Sequence, residues 1–295
     1  MGFRAGKYQS GSMDPAEILT RPAAPPDLTI RYGPDPGNIA DIRLPSGGGP
    51  GSSSSGSGRP MIVLLHGGFW RVTFDRAHTG PMAVALAAEG YLVCVPEFRR
   101  AGPGRPGWPG IFDDVAAAID RLPGLVAAVA PEACDPGRVL LAGHSAGGHL
   151  ALWAAGRHLL PRDVPWHAER DSLPRIAGVV PLAPVCDLVA CYRQGLGGGA
   201  AADLLGGGPE QQPQRYALTD PARLIPLGVS VRIVHGIADD RVPCQMSRSY
   251  AARACAAGDD TILAELPKSG HFEVIDPRSA AWPAVLAAFR GLARG

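Results

Sequence analysis

Residues 138–157 read RVLLAGHSAGGHLALWAAGR. RVLLA is a short apolar run of the kind a buried parallel strand needs. AGGHLALWAAGR, just after it, has the pattern of a helix. Between the two stands Gly143-His144-Ser145-Ala146-Gly147, a G-x-S-x-G pentapeptide in a strand–turn–helix setting. Glycines on both sides let neighbouring backbone pass close to a serine held on a sharp, strained turn. The following helix aims its first N–H groups at that serine, where they favour a developing negative charge. The pentapeptide alone is weak, because glycine and serine are common; its setting makes Ser145 the candidate nucleophile.

Outward from this turn, strands and helices alternate. Strands are expected at 39–44, 61–65, 91–95, 138–142, 176–183, 231–235 and 261–266. Helices are expected at 81–89, 111–122, 146–157, 247–257 and 280–292. Such alternation predicts an α/β protein, a mostly parallel sheet with helices on both faces. Residues 28–295 read as one domain behind a loose, polar, Pro-rich arm at 1–27. Ser46 to Gly58 (SGGGPGSSSSGSG) reads as a flexible hairpin loop between two strands. The Gly- and Pro-rich stretch 188–228 breaks the rhythm and is expected to be a small partial cap.

Acyl chemistry at Ser145 needs donors for an oxyanion and a base for the hydroxyl proton. His66-Gly67-Gly68-Phe69-Trp70 directly follows the strand 61–65. The N–H groups of Gly68 and Phe69, with that of Ala146 after the serine, are the candidate donors. His66 reads as a structural residue that fixes this loop. Of eight histidines, His271 alone follows a late strand and precedes the last helix. His144 is adjacent to the serine and points away from it, and His235 ends a strand. The base needs a carboxylate on its Nδ1–H. The loop after 231–235 offers Asp239 and Asp240. Trp70, Trp108 and Phe272 are candidate pocket walls, with core packing as the alternative for each.

Formal charge is +1 and the basic residues do not cluster, which argues against a nucleic-acid partner. No run approaches the ~20 apolar residues of a membrane span. No Lys or helix start follows the Gly-rich stretch 46–58 in phosphate-loop spacing, and the six cysteines and eight histidines show no zinc spacing, so no metal site is expected. The cysteines read as free thiols of a reducing compartment and, with no apolar leader visible, the expected location is the cytoplasm.

The order Ser145, Asp239 or Asp240, His271, together with HGGFW and GHSAGG, resembles the α/β-hydrolase superfamily. PEFRRAG (96–102), DDVAAAI (113–119), HGIADDRVP (235–243) and GHFEVIDP (270–277) are similar to kynurenine formamidase (arylformamidase) and related feruloyl-esterase-like hydrolases. In arylformamidases the loop commonly reads HGGYW; Phe69 stands here at the Tyr position and lacks its hydroxyl. The resemblance implies a cofactor-free hydrolase of small-molecule esters or amides, arylformamidase-like, with Ser145, Asp239 and His271 as triad and Gly68, Phe69 and Ala146 around the oxyanion. A broad carboxylic ester hydrolase is the alternative within the class. A peptidase of the prolyl-oligopeptidase type is disfavoured because nothing resembles its propeller. A non-catalytic binding protein on the same fold is disfavoured by the complete set of candidate residues.

Overall fold

The computed structural model describes residues 15–46, 59–105, 107–172 and 174–293. Eight strands form one sheet: β1 (Leu28–Arg31), β2 (Ile39–Arg43), β3 (Pro60–Leu65), β4 (Val93–Pro96), β5 (Asp135–His144), β6 (Arg175–Leu182), β7 (Val231–Gly236) and β8 (Thr261–Leu266). Their order is β1-β2-β4-β3-β5-β6-β7-β8. β1 and β2 are antiparallel to their neighbours, and β3 to β8 are parallel. The mostly parallel sheet expected from the alternation is therefore present. The hairpin expected around 46–58 is not, because β4 lies between β2 and β3; residues 47–58 of that loop are outside the described residues.

Side chains alternate across each strand, so both faces of a parallel sheet must be covered. Met61, Val63, Leu65, Val139 and Leu141 pack on one face against α3 (Gly110–Val129), α4 (Ala146–Ala155) and α8 (Cys244–Ala256). Ile62, Leu64, Leu140, Ala142 and Val180 pack on the other against α2 (Gly80–Ala88) and α9 (Trp282–Ala293). The six residues of β3 are all buried, which explains their continuous apolar run.

Two segments are better ordered than the sequence suggested. In the arm, residues 1–14 lie outside the described residues. Residues 15–27, expected to be loose, are docked: α1 (Pro15–Thr20) buries Ile18, and Arg21 pairs with the carboxylate of Asp276. Arg43 of β2 donates to the carbonyls of Ala24 and Pro25 at 2.6 and 2.8 Å. Pro-rich composition gave no hint of this, because the anchors are one apolar side chain, one ion pair to Asp276 far along the chain, and two backbone carbonyls. The irregular stretch 188–228 holds three short helices: α5 (Leu188–Arg193), α6 (Ala200–Leu205) and α7 (Pro213–Thr219). Asp187 caps α5 through the Ala190 N–H, and buried Asp220 accepts the N–H groups of Leu188, Val189 and Ala222. Burial, then the charge of Asp187, pushes the Asp220 carboxyl up to about 6.

Candidate active site

β5 ends at His144 and α4 begins at Ala146, leaving Ser145 alone on the turn with φ 56° and ψ −115°. A left-handed φ costs a non-glycine residue roughly 1–2 kcal/mol. The surroundings enforce it. The Ser145 N–H donates to the Leu182 carbonyl at 2.8 Å, and its own carbonyl accepts from Val185 at 3.2 Å. A Cβ on Gly147 would sit 2.1 Å from the Leu65 carbonyl oxygen, and one on Gly143 2.2 Å from that of Gly147. The flanking glycines are thus set by backbone-to-backbone contact. Gly147→Ala is expected to destabilise the fold by about 1–3 kcal/mol or more, read by denaturant unfolding, because a carbonyl cannot swing aside as a side chain can.

The HGGFW loop lies against this elbow. A Cβ on Gly67 would be 3.3 Å from Ser145 Cβ. Gly68, Phe69 and Trp70 all have positive φ (106°, 50° and 59°), which turns the loop tightly. Among the described residues, neither the Gly68 nor the Phe69 N–H has a protein acceptor, which suits groups meant to receive a ligand oxygen. The Ala146 N–H, first of its helix, has no intrahelical partner by construction. His66 is buried, bonds the Gly67 carbonyl at 2.9 Å and Glu97 at 3.2 Å, and stacks on Phe98; it fixes the loop as expected.

Trp70 is not a pocket wall. It is 1% exposed, and its indole N–H donates to His149 Nδ1 at 3.1 Å, while His149 Nε2 donates to the Thr219 carbonyl at 2.9 Å. Its hidden donor needed a buried acceptor, and α4 supplies one. Trp108 packs on Phe112 and Trp166 rather than on the histidine of the site. Phe272 does lie there, with its ring 5.0 Å from that of His271.

Asp239 and His271 come together because β7 and the loop after β8 touch backbone to backbone. A Cβ on Gly236 would be 2.2 Å from the Ser269 carbonyl. His271 Nδ1 then lies 2.6 Å from Asp239 Oδ2, with both side chains almost fully buried. Asp240, the other candidate, is exposed and pairs with Arg241 at 3.4 Å. Burial alone would push the Asp239 carboxyl up. Hydrogen bonds from His235 and His271, the His271 charge and the Val242 N–H outweigh it and hold the carboxyl well below the usual carboxylate range. Because a carboxylate only accepts, His271 carries its proton on Nδ1, and Nε2 is left free to take another.

Sequence reasoning missed a second tier of histidines. His144 is buried beside the elbow; its Nε2 donates to the His271 carbonyl at 2.9 Å, and its Nδ1 accepts from His78 Nε2 at 2.9 Å. Burial, then the neighbouring histidines, holds His144 well below its ordinary value, and burial takes His78 down to about 3. Both rings are neutral and serve as hydrogen-bonding struts under the His271 backbone. Arg71 was also missed: it follows the HGGFW loop and pairs with Asp203 of α6 at 2.6 Å, while Phe69 abuts Gly197. The stretch 188–228 is thereby fastened to the loop.

The sequence profile of the BD-FAE family matches residues 50–253. The chain belongs to the BD-FAE family. Relatives of this BD-FAE chain include the Mycobacterium tuberculosis protein named "Probable carboxylic ester hydrolase LipM", 29% identical over 234 residues that cover 77% of this chain and 52% of the relative. Kynurenine formamidase of Danio rerio is 27% identical over 161 residues, covering 55% of this chain and 46% of the relative. The chain spans about half the length of the curated relatives it matches. Among solved structures, a truncated carbohydrate esterase from gut microbiota superposes with a TM-score of 0.73 at 19% identity, covering 93% of this chain and 100% of the other. A thermophilic esterase of Thermogutta terrifontis gives 0.65 at 22%, covering 91% and 93%. The BD-FAE chain has the α/β-hydrolase fold.

No helix among the described residues is long and apolar enough to cross a membrane. Nor is there, among them, a group of three or more His, Cys, Asp or Glu side chains placed to hold a metal ion.

Proposed function

We propose that the protein is a serine hydrolase that cleaves small-molecule esters or amides through an acyl-enzyme. The observation that carries this reading is the buried His271 Nδ1–Asp239 bond of 2.6 Å, in a site whose serine is held at a strained φ of 56°. Asp239 fixes the tautomer and orientation of His271. His271 Nε2 takes the proton of Ser145 Oγ as that oxygen attacks the carbonyl carbon. The N–H groups of Gly68, Phe69 and Ala146 receive the developing oxyanion. His271 then protonates the leaving alcohol or amine, and water attacking the acyl-enzyme by the same route regenerates the serine. The chain's own groups suffice for every step, without a cofactor.

A cleft of about 740 Å³ follows the HGGFW loop in the chain, lined by residues 101–105 and by Arg71, Val72, Thr73 and Asp203 among others. Both an ester hydrolase and a formamidase occur among the named relatives, which keeps both an ester and a formamide as candidate substrates. The six unpaired thiols fit a reducing compartment such as the cytoplasm.

The substrate class is tested by comparing kcat/KM for p-nitrophenyl acetate and N-formylkynurenine. We expect turnover of both. A clear preference for the formamide identifies an arylformamidase, and turnover of the ester alone moves the substrate to carboxylic esters. Absence of turnover on either, and on longer acyl esters, contradicts the proposal.

A further inference from the structure

Asp239 accepts from two imidazoles at one oxygen. His271 Nδ1 lies 2.6 Å from Oδ2, and His235 Nε2 lies 3.1 Å from the same atom. Oδ1 takes the backbone N–H groups of Arg241 and Val242, each at 2.8 Å. A carboxylate offers about four lone-pair sites, and here four donors occupy them. His235 is 0% exposed, so its polar atoms must find partners inside the protein.

Its tautomer follows from those partners. Nε2 faces two acceptors, Asp239 Oδ2 and the Val242 carbonyl at 2.9 Å, so it carries the proton. Nδ1 lies 2.7 Å from Ser247 Oγ on α8, also 0% exposed, so the hydroxyl donates to it. The chain Ser247–His235–Asp239–His271 thus has a single consistent set of donors.

We propose that His235 is a positioning residue for the reaction. It holds Asp239 Oδ2 against His271 and draws off part of the carboxylate's charge. The inference rests on the triad reading above. Without the His235 donor, Oδ2 is held by His271 alone and its charge falls wholly on that ring. The imidazolium then gains stability, so the acidic limb of the kcat/KM profile moves to higher pH, while kcat drops because the ring is less well held. Other titratable groups around the pair are Glu265, opposite His235 on β8 and paired with Arg248, Cys244 at the start of α8, and His144 and His78 on the nucleophile side.

Two near-isosteric variants separate positioning from packing. His235→Gln places an amide donor near the Nε2 position and keeps the contact with Asp239. His235→Asn reaches only as far as Nδ1, keeping Ser247 and losing Asp239. With p-nitrophenyl acetate as probe, we expect the asparagine variant to lose about tenfold in kcat with KM nearly unchanged, and its acidic limb to rise by roughly half a pH unit. The glutamine variant should recover most of both. Nitrogen chemical shifts of His235 in the wild type give a readout that needs no variant to fold: a neutral ring protonated on Nε2 is required, and protonation on Nδ1 overturns the proposal. Equal kcat and an unmoved acidic limb in both variants, with Ser145→Ala inactive, overturn it while leaving the triad intact. Full activity in Ser145→Ala removes the triad reading and this inference together.

Discussion

Ser145→Ala is expected to lower kcat on an ester by on the order of 10⁴- to 10⁶-fold, with thermal stability little changed. The reason lies in the elbow. Ser145 occupies its left-handed conformation because the backbone bonds to Leu182 and Val185 and the glycine contacts around it impose that shape, not because of its hydroxyl. Alanine bears nearly the same backbone cost, so the turn persists and only Oγ is lost. What remains is binding and the oxyanion donors, which alone supply a small part of the acceleration. Steady-state kinetics and a melting curve on the same preparation check both halves.

Asp239→Asn should cost about 10⁴-fold in kcat near neutral pH, for a reason specific to this site. Oδ1 accepts two backbone N–H groups, so the asparagine amide must turn its oxygen toward them. Its NH₂ then takes the place of Oδ2 and meets the N–H groups of His271 and His235, donor against donor. Relief requires His271 to move its proton to Nε2, where it cannot accept the serine proton. Stability gives a second readout. A carboxyl held below its ordinary value stabilises the folded state above the unfolded value of about 3.9, and that contribution is lost as pH falls through the folded value. The wild type should therefore be more stable than the variant near pH 7, and the gap should narrow on acidification below about pH 4. A constant gap would mean that the carboxylate's charge contributes nothing.

Much of this site was legible because its chemistry dictates local sequence. A serine on a one-residue turn between β5 and α4 needs glycines wherever backbone crowds it, and Gly143 and Gly147 stand there. The histidine had to follow the last strand, and His271 does. The choice between Asp239 and Asp240 was open from residue types alone; it is decided by the turn at 239–242, whose N–H groups seize one carboxylate oxygen and point the other at His271. His235 and His144 were set aside as a strand-end residue and as a neighbour of the serine pointing away from it, because a histidine at a strand end carries no pattern, and its role appears only once the loops of β7 and β8 meet.

Trp70 was misjudged as a pocket candidate for a related reason: its partner, His149, is 79 residues away in the chain. The helices α5 to α7 were hidden because they have only six or seven residues, too short for a 3.6-residue period to show, and are separated by glycines at positive φ. β1 is a four-residue edge strand with mixed exposure, which lacks the apolar run that marked the buried strands.

We propose Ser145 as the activated nucleophile. Its most direct test is reaction of the native protein with a fluorophosphonate, followed by tryptic mapping. Trypsin releases residues 139–157 as one peptide, in which Ser145 is the only serine. The structure predicts a single adduct per chain, on that peptide, which disappears in Ser145→Ala. No adduct, or one that forms elsewhere and survives the substitution, would rule out Ser145 as the nucleophile.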